Sequence, residues 1–420
     1  MQVVLRAAQV FFPLDEELEL LTGEYTPHAM ENLVRLSAWM PFGRAVETLA
    51  GILRVQVSKS SAVRMTEAAG AAYVSWQDEV VAEIERKTPL APDGPVQAVL
   101  SADGAMVPLR QGQWGEVKTL VIGEVADSKQ EEAKSHSLTY FSKLASAEEF
   151  TRTALFETHR RGIESSEQVA AVMDGADWLQ NFADHHCPQA IRILDFPHAA
   201  QRITAIAQAI WGETETASTW SRTWLHRLKN EGAQPLLQEV RTLLKTHPDA
   251  EPVRTHLAYL EKRQSQMDYP VFIEHGWPIG SGCVESANKL VVEARLKGAG
   301  MHWHRRNVNP VLALRNIVCN DQWDDAWAII EDRLRTTARH HRRLRQHKRH
   351  AERRQRLRAA ENPLPLPPPL APPANESDTC LPSLPAAQPK SSSNRPAPDH
   401  PWRRFRFGRN RYAPQQNAKT

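Results

Sequence analysis

The sequence predicts an α+β or α/β protein in which a sheet-forming core stands between helical regions. Three observations support this prediction. Apolar residues recur at intervals of three and four from residue 26 to about residue 88, as they do in packed helices. A Pro-rich boundary at residues 89–95 ends that pattern, and short apolar runs typical of buried strands follow it. Helical periodicity then returns from about residue 199.

The core has a recognisable order of elements: three strands, helix, strand, helix, strand. An Asp103-Gly104 turn is predicted to join the first two strands, and Pro197 opens the helix after the last. This is the ribonuclease H-like order, in which the first strand lies centrally and the fourth lies beside it. We therefore expect Asp103 and Asp174, which end those two strands, to meet. The predicted ranges are, in order, 96–102, 106–110, 117–125, 147–161, 168–173, 176–185 and 190–194.

Two helical patterns before the core, residues 45–53 and 57–65, are separated by a short turn. A Ser-capped second helix carrying Lys59 and Arg64 is the layout of a DNA-binding helix-turn-helix, although an ordinary helical hairpin has the same pattern. The predicted segments are an N-terminal lead (1–25), the helix-turn-helix region (26–88), the first part of the core (96–198), an all-α insertion (199–276), the C-terminal helices of the core (277–332), a basic helix (333–360) and a disordered Pro-rich and basic tail (361–420).

Charge is distributed unevenly along the 420 residues. The formal net charge is only +3, yet from residue 333 to residue 358 Glu352 is the sole acid in a run rich in Arg, Lys and His. Residues 402–412 form a second basic cluster with aromatic residues between the arginines. This asymmetry favours a polyanion partner, with a solvated charged helix as the alternative.

Composition also limits the cellular location. No apolar stretch approaches the roughly 20 residues that cross a bilayer, and the N-terminus lacks the order of a secretory signal. The four cysteines have neither disulfide nor zinc-knuckle spacing, which suits a reducing compartment. We expect a cytoplasmic, nucleoid-associated protein without a membrane partner.

Three acids carry the predicted chemistry: Asp103, Asp174 and Glu285, the last at the start of a helical pattern after Gly280-Ser281-Gly282. Carboxylates at two strand ends and on a later helix can hold two Mg²⁺ (or Mn²⁺) ions for in-line phosphoryl transfer. Asp103 would bind both ions, and Asp174 and Glu285 would each complete one site. Asp195, which ends the next strand, and Asp177 compete for the second position. Asp195 and His198 could instead order the site, or Asp195 could simply cap a helix.

Basic residues around Glu285 extend a surface that could contact DNA. Lys289 and Glu293 follow Glu285 at steps of four, a spacing that also stabilises exposed helices. Together with the helix-turn-helix residues, the predicted DNA-binding set is Lys59, Arg64, Lys289, Arg295, Lys297, Arg305 and Arg306.

Five segments together resemble bacterial insertion-sequence transposases of the Kra type, in the Mutator-like superfamily of DDE transposases: Ser101–Gly104, Val117–Val125, Met173–Leu179, Leu194–Ala199 and Pro278–Lys289. The resemblance covers roughly residues 10–330. It implies a ribonuclease H-like core interrupted by an all-α insertion, and Mg²⁺-dependent cleavage and strand transfer at terminal inverted repeats. It also implies double-stranded DNA partners, the transposon ends and the target, and at least a dimer on DNA. In such relatives an acid or Cys with His three residues later follows the second acid, which maps onto Asp195 and His198.

One departure bears on activity. Relatives often carry paired cysteines before the segment matching Phe12–Glu16, whereas here no Cys precedes Cys187. The module is expected to be lost or clipped from the N-terminus. Two other functions are therefore kept open: a ribonuclease H-like nuclease without a joining step, and an inactive remnant that only binds DNA.

Overall fold

The computed structural model describes residues 25–125 and 135–361. Contacts divide the chain into two units, Met1–Arg353 and Arg354–Thr420, and the sheet lies in the first. The strands are β1 (Gln97–Pro108), β2 (Trp114–Val125), β3 (Ser135–Leu144), β4 (Gln168–Met173) and β5 (Ile191–Leu194). The helices are α1 (Pro27–Trp39), α2 (Phe42–Leu53), α3 (Lys59–Lys87), α4 (Ala147–Arg160), α5 (Asp177–His186), α6 (Phe196–Trp211), α7 (Glu215–Glu231), α8 (Ala233–Thr246), α9 (Glu251–Lys262), α10 (Tyr269–Glu274), α11 (Gly282–Ala287), α12 (Ala294–Leu296), α13 (Arg305–Cys319) and α14 (Trp323–Glu361).

The five strands form one mixed sheet in the order β3-β2-β1-β4-β5. β1, β2 and β3 are antiparallel neighbours, whereas β4 runs parallel to β1, and β5 runs parallel to β4. The prediction that the first strand lies centrally with the fourth beside it is confirmed. The α+β class is confirmed as well.

The predicted turn at Asp103-Gly104 is wrong. β1 continues through both residues, which pair with Thr119 and Lys118 of β2, and the hairpin turns at residues 109–113 instead. Residues 97–102 and 106–108 therefore belong to one strand, residues 109 and 110 belong to the hairpin connection, and the third strand is β3, which the sequence prediction missed. Gly104 lies inside the strand opposite β2, where a Cβ would meet the carboxylate end of the flexible Glu116 side chain. The Asp-Gly pair thus marks a cross-strand contact, not a chain reversal.

Each face of the sheet has its own apolar core. On one face, Val99, Val172 and Ile193 pack against helices that include α6, α8 and α9. On the other face, Leu100 and Met173 pack against α4 and α5. Residues 196–274 are helical apart from short connections, as the sequence predicts. This helical insertion is therefore anchored to the same face of the sheet as Val99.

The helices before the sheet pack against the helices after it. Leu33, Leu49 and Ala69, one from each of α1, α2 and α3, share a core with Leu314 and Trp327. The helical pattern predicted from residue 26 is confirmed, including the Ser58 cap, whose hydroxyl accepts a hydrogen bond from the Ser61 amide at 3.1 Å. α3 is 29 residues long, much longer than the segment predicted for the second helix of a helix-turn-helix.

Gly70 of α3 lies against the backbone of Pro310 in α13, with no room for a Cβ. We expect Gly70→Ala to lower the free energy of unfolding by about 1–3 kcal/mol, because the two helix backbones must separate. Gly51→Ala in α2 is the matched control, since nothing lies within 4 Å of a Cβ there. In that variant the free energy of unfolding should instead rise by about 0.5–1 kcal/mol, because Ala has the higher helix propensity. Urea unfolding of both variants measures the difference, and equal effects would contradict the close packing.

The C-terminal part of the chain is described only as far as residue 361. α14 includes the predicted basic helix, with its sole acid at Glu352. The predicted lead (1–25), except Tyr25, and the predicted disordered tail (361–420), except residue 361, lie outside the described residues. Within the described ranges, no helix combines the length and apolarity required to span a bilayer.

Candidate active site

Three aspartates lie at corresponding positions on or just after the three parallel strands β1, β4 and β5. The register between β1 and β4 ends with Leu100 opposite Ala171, and Asp103 and Asp174 each lie three residues beyond that last pair. Met173 aligns with Leu194 of β5, so Asp174 aligns with Asp195. Because side chains alternate along a strand, all three point to the face that carries Val99 and the insertion.

Asp103 is partly buried and faces another negative charge. Burial raises the pKa of its carboxyl group, a hydrogen bond from the Gly104 backbone lowers it, and the nearby Asp174 carboxylate raises it further. The Asn288 side-chain amide donates to Asp103 Oδ2 at 2.9 Å. No Lys or Arg in the described ranges forms an ion pair with Asp103 or Asp174. Two carboxylates whose negative charges act on one another, and which form no ion pair with Lys or Arg in these ranges, are suited to a hard cation.

Asp174 begins the loop between β4 and α5, and the loop fixes its carboxylate. Oδ1 accepts a hydrogen bond from the Ala176 amide at 2.5 Å, as in an Asx turn. The competing acid Asp177 lies elsewhere: it is exposed and pairs with Lys262 at 2.8 Å, an ion pair that lowers its pKa. The loop therefore directs Asp174 toward Asp103 and Asp177 toward the insertion.

Asp195 is fully buried and its oxygens are already occupied. It caps α6 by accepting from the His198 amide at 3.2 Å, and it contacts His198 Nδ1 at 2.6 Å. The Ser281 amide donates to its other oxygen at 2.5 Å. Burial alone would raise the pKa of Asp195, but the hydrogen bonds from His198 and Ser281 outweigh burial and lower it. The sequence left three roles open for Asp195: helix cap, residue that orders the site, and metal ligand. Its contacts fit the first two roles better than the third.

His198 links this buried acid to the other two. Its hydrogen bond to Asp195 raises the pKa of the imidazole against the opposing effect of burial, and the negative charges of Asp195, Asp174 and Asp103 raise it further. The raised pKa favours the protonated form of this half-buried imidazole, which interacts with the negative charges of Asp103 and Asp174.

Glu285 stands on α11, on the sheet face that carries Asp103. Val284 and Ala287 of this helix pack on Val121, whose strand partner Ser101 shares a face with Asp103. Ser281, Glu285 and Asn288 follow at steps of four and three, so they share one side of the helix. The flanking residues contact Asp195 and Asp103, while the Glu285 side chain itself is exposed. Within the described ranges, no three His, Cys, Asp or Glu side chains converge closely enough to hold a metal ion.

Asn288 is a site residue that sequence reasoning missed. It begins a π-helical segment, Asn288–Glu293, a distortion that is frequent at functional sites. Its Oδ1 is buried without a hydrogen-bond partner, while its Nδ2 holds Asp103. The detectable signal was its position three residues after Glu285. The donor set of two carboxylates and one unpartnered amide oxygen fits a hard divalent cation.

The predicted DNA-binding residues divide into two groups. Arg295 is buried, with 1% of its surface exposed; it donates to the Ser37 carbonyl at 2.8 Å and stacks on Phe42 and Trp303. Its predicted DNA contact is therefore replaced by a structural role. The others are exposed, although Lys297 pairs with Glu293 at 2.6 Å. These exposed residues are Lys59, Arg64, Lys289, Lys297, Arg305 and Arg306.

The chain matches no protein-family model and no curated protein.

Proposed function

We propose that this chain is a DDE transposase with a ribonuclease H-like core, which cuts and joins DNA at the terminal inverted repeats of an insertion sequence. The observation that carries the proposal is the aligned pair Asp103 and Asp174, two mutually repelling carboxylates on one sheet face. The helix of Glu285 is attached to the same face through Asn288. Its partners would be transposon ends and target DNA, with at least a dimer on DNA, in the nucleoid region of the cytoplasm.

Asp103 and Asp174 would hold Mg²⁺ or Mn²⁺, with Glu285 completing a two-ion site. The ions would lower the pKa of an attacking water and stabilise the leaving oxygen. In cleavage, a water oxygen bonds to phosphorus, the bond to the 3′ oxygen breaks, and that oxygen takes up a proton. In joining, the freed 3′-hydroxyl attacks a target phosphodiester in the same way. Asn288 orients Asp103, and Asp195 holds the His198 imidazole toward the carboxylates.

Two features support a polyanionic partner such as DNA. The exposed cations Lys289, Arg305 and Arg306 follow Glu285 along the chain, and Lys59 lies at the start of α3, the second helix of the predicted helix-turn-helix. Phosphate contacts of this kind make binding fall with salt, at a slope of about 0.9 per contact in logarithmic terms.

A second candidate is a protein that binds DNA without cutting it. The exposed basic residues Lys59, Lys289 and Arg305 favour this alternative, since contacts to phosphate need none of the three acids. In that case Asp103, Asp174 and Glu285 would be dispensable for everything the protein does.

The Glu285→Gln variant separates the two. We expect purified parent protein with Mg²⁺ to nick a duplex ending in the element's inverted repeat, and to join a pre-cut 3′-hydroxyl end to target DNA. In Glu285→Gln both rates should fall at least about a hundredfold, while DNA binding stays normal. A hundredfold loss of rate corresponds to about 2.7 kcal/mol of transition-state stabilisation.

Asp249→Asn is the matched control, because this exposed acid lies in the insertion at the link between α8 and α9. It should leave both rates unchanged. Nicking without joining would indicate a nuclease, and DNA binding without any metal-dependent product would indicate the binding protein.

A further inference from the structure

We propose that helix α9 of the insertion positions Asp174, with Tyr259 and Arg263 as the positioning residues. The inference rests on the proposed function, because it assigns the insertion a role in forming the metal-binding acid pair. The observation behind it is that two successive peptide groups after Asp174 are both held by these two side chains.

The first peptide joins Asp174 to Gly175. Its N–H, on Gly175, donates to the Tyr259 hydroxyl at 3.1 Å. The rigid ring keeps this acceptor in place, and the guanidinium groups of Arg202 and Arg263 lie over the ring at 4.3 and 4.0 Å from its centre. Arg202 belongs to α6 and lies one turn after His198. Tyr259 therefore connects the Asp174 loop to the helix that carries His198.

The second peptide joins Gly175 to Ala176. Arg263 donates to its carbonyl oxygen, and the N–H of the same peptide donates to Asp174 Oδ1 at 2.5 Å. A charged donor on the carbonyl polarises the peptide and strengthens the N–H as a donor. Holding this peptide plane thus fixes the orientation of the Asp174 carboxylate itself.

The site is built tightly around Gly175. A Cβ at residue 175 would overlap both Arg263 Nε and Tyr259 Oη. A larger residue there would therefore displace both side chains from the loop. Arg263 is 5% exposed, and it also lies 3.4 Å from Asp177, which pairs in turn with Lys262. The helix end Lys262-Arg263 thus encloses the loop from Gly175 to Asp177.

Tyr259→Phe tests the inference, because it removes only the hydroxyl acceptor. Hydrogen–deuterium exchange of the full chain, without metal or DNA, should become about tenfold faster in the peptide covering residues 173–177, as expected for one lost hydrogen bond. Binding of Mn²⁺ alone, followed by its electron paramagnetic resonance signal, should weaken by about tenfold or more, the usual cost of losing a residue that orients a metal ligand. Arg263→Lys, which keeps the charge but loses the planar guanidinium, should show the same pattern.

Tyr73→Phe is the matched control: the ring is buried in α3, in the core that the N-terminal helices share with Leu314 and Trp327, and both measurements should stay at parent values. Unchanged exchange in Tyr259→Phe overturns the inference, and so does faster exchange with unchanged Mn²⁺ affinity. Asp103→Asn distinguishes the underlying proposal. If Asp103→Asn binds Mn²⁺ as the parent does, or the parent binds none, the proposed function fails whatever Tyr259 does.

Discussion

Asp103→Asn should abolish cleavage and joining, lowering both rates by at least about a thousandfold, or about 4 kcal/mol of transition-state stabilisation. Asp103 is the central acid: it aligns with Asp174 across β1 and β4, and it receives Asn288 from the segment that follows Glu285. An amide has the same shape, but it carries no charge to hold a divalent cation. Single-turnover cleavage with Mg²⁺ measures the loss, and parent-like rates would rule out a catalytic role for Asp103.

The same variant should not be less stable than the parent when metal is absent. The raised pKa of Asp103 means that its ionised form is disfavoured in the folded protein, so this carboxylate costs stability at neutral pH. That cost falls as the pH drops through the raised pKa, and Asn removes it at every pH. Thermal unfolding in EDTA should therefore show an equal or higher midpoint for Asp103→Asn. Adding Mg²⁺ should raise the midpoint of the parent and leave the variant unchanged.

Asp195→Ala should destabilise the protein by about 3 kcal/mol, in the range for removing one partner from a buried charged pair. Asp195 is fully buried, and its loss leaves the amides of His198 and Ser281 without their acceptor. Because Ser281 precedes α11, the position of Glu285 should loosen as well. Asp184→Ala is the control: this exposed acid pairs with Arg192 at 2.9 Å and should cost less than about 1 kcal/mol. Similar urea midpoints for the two variants would contradict the assigned role.

This contribution should depend on pH in a defined window. The pKa of Asp195 is lowered, so its contribution is present above the unfolded value of 3.8 and is lost as the pH falls through the folded pKa. The pKa of His198 is raised, so its contribution is complete below the unfolded value of 6.5 and is lost as the pH rises through the folded pKa. The stability difference between parent and Asp195→Ala should therefore be largest between about pH 4 and 6.5. A difference that grows with alkaline pH would contradict the pairing with His198.

Local sequence signals succeeded where one short segment determines one element. The Ser58 cap, the helix opened near Pro197 and the apolar run of β4 all occur where predicted, because each depends on residues that are neighbours in the chain. The Asp-Gly signal at Asp103 failed because the pairing of β1 with β2 stabilises an extended chain there. The prediction that Arg295 contacts DNA failed for a similar reason, since the carbonyl and aromatic partners of Arg295 come from distant segments.

The sequence by itself determined β4, β5, the helical regions on either side of the sheet, and the positions of Asp174 and Asp195 at strand ends, because periodicity and turn chemistry are properties of adjacent residues. Only the tertiary structure decided that these acids share one register and one face, that Asp195 is occupied by His198 and Ser281, and that Asn288 and Tyr259 hold the other two in place. Such contacts join residues up to 185 positions apart, as in the bond from Asn288 to Asp103. Their partners are chosen by strand register and helix packing, which no local pattern specifies.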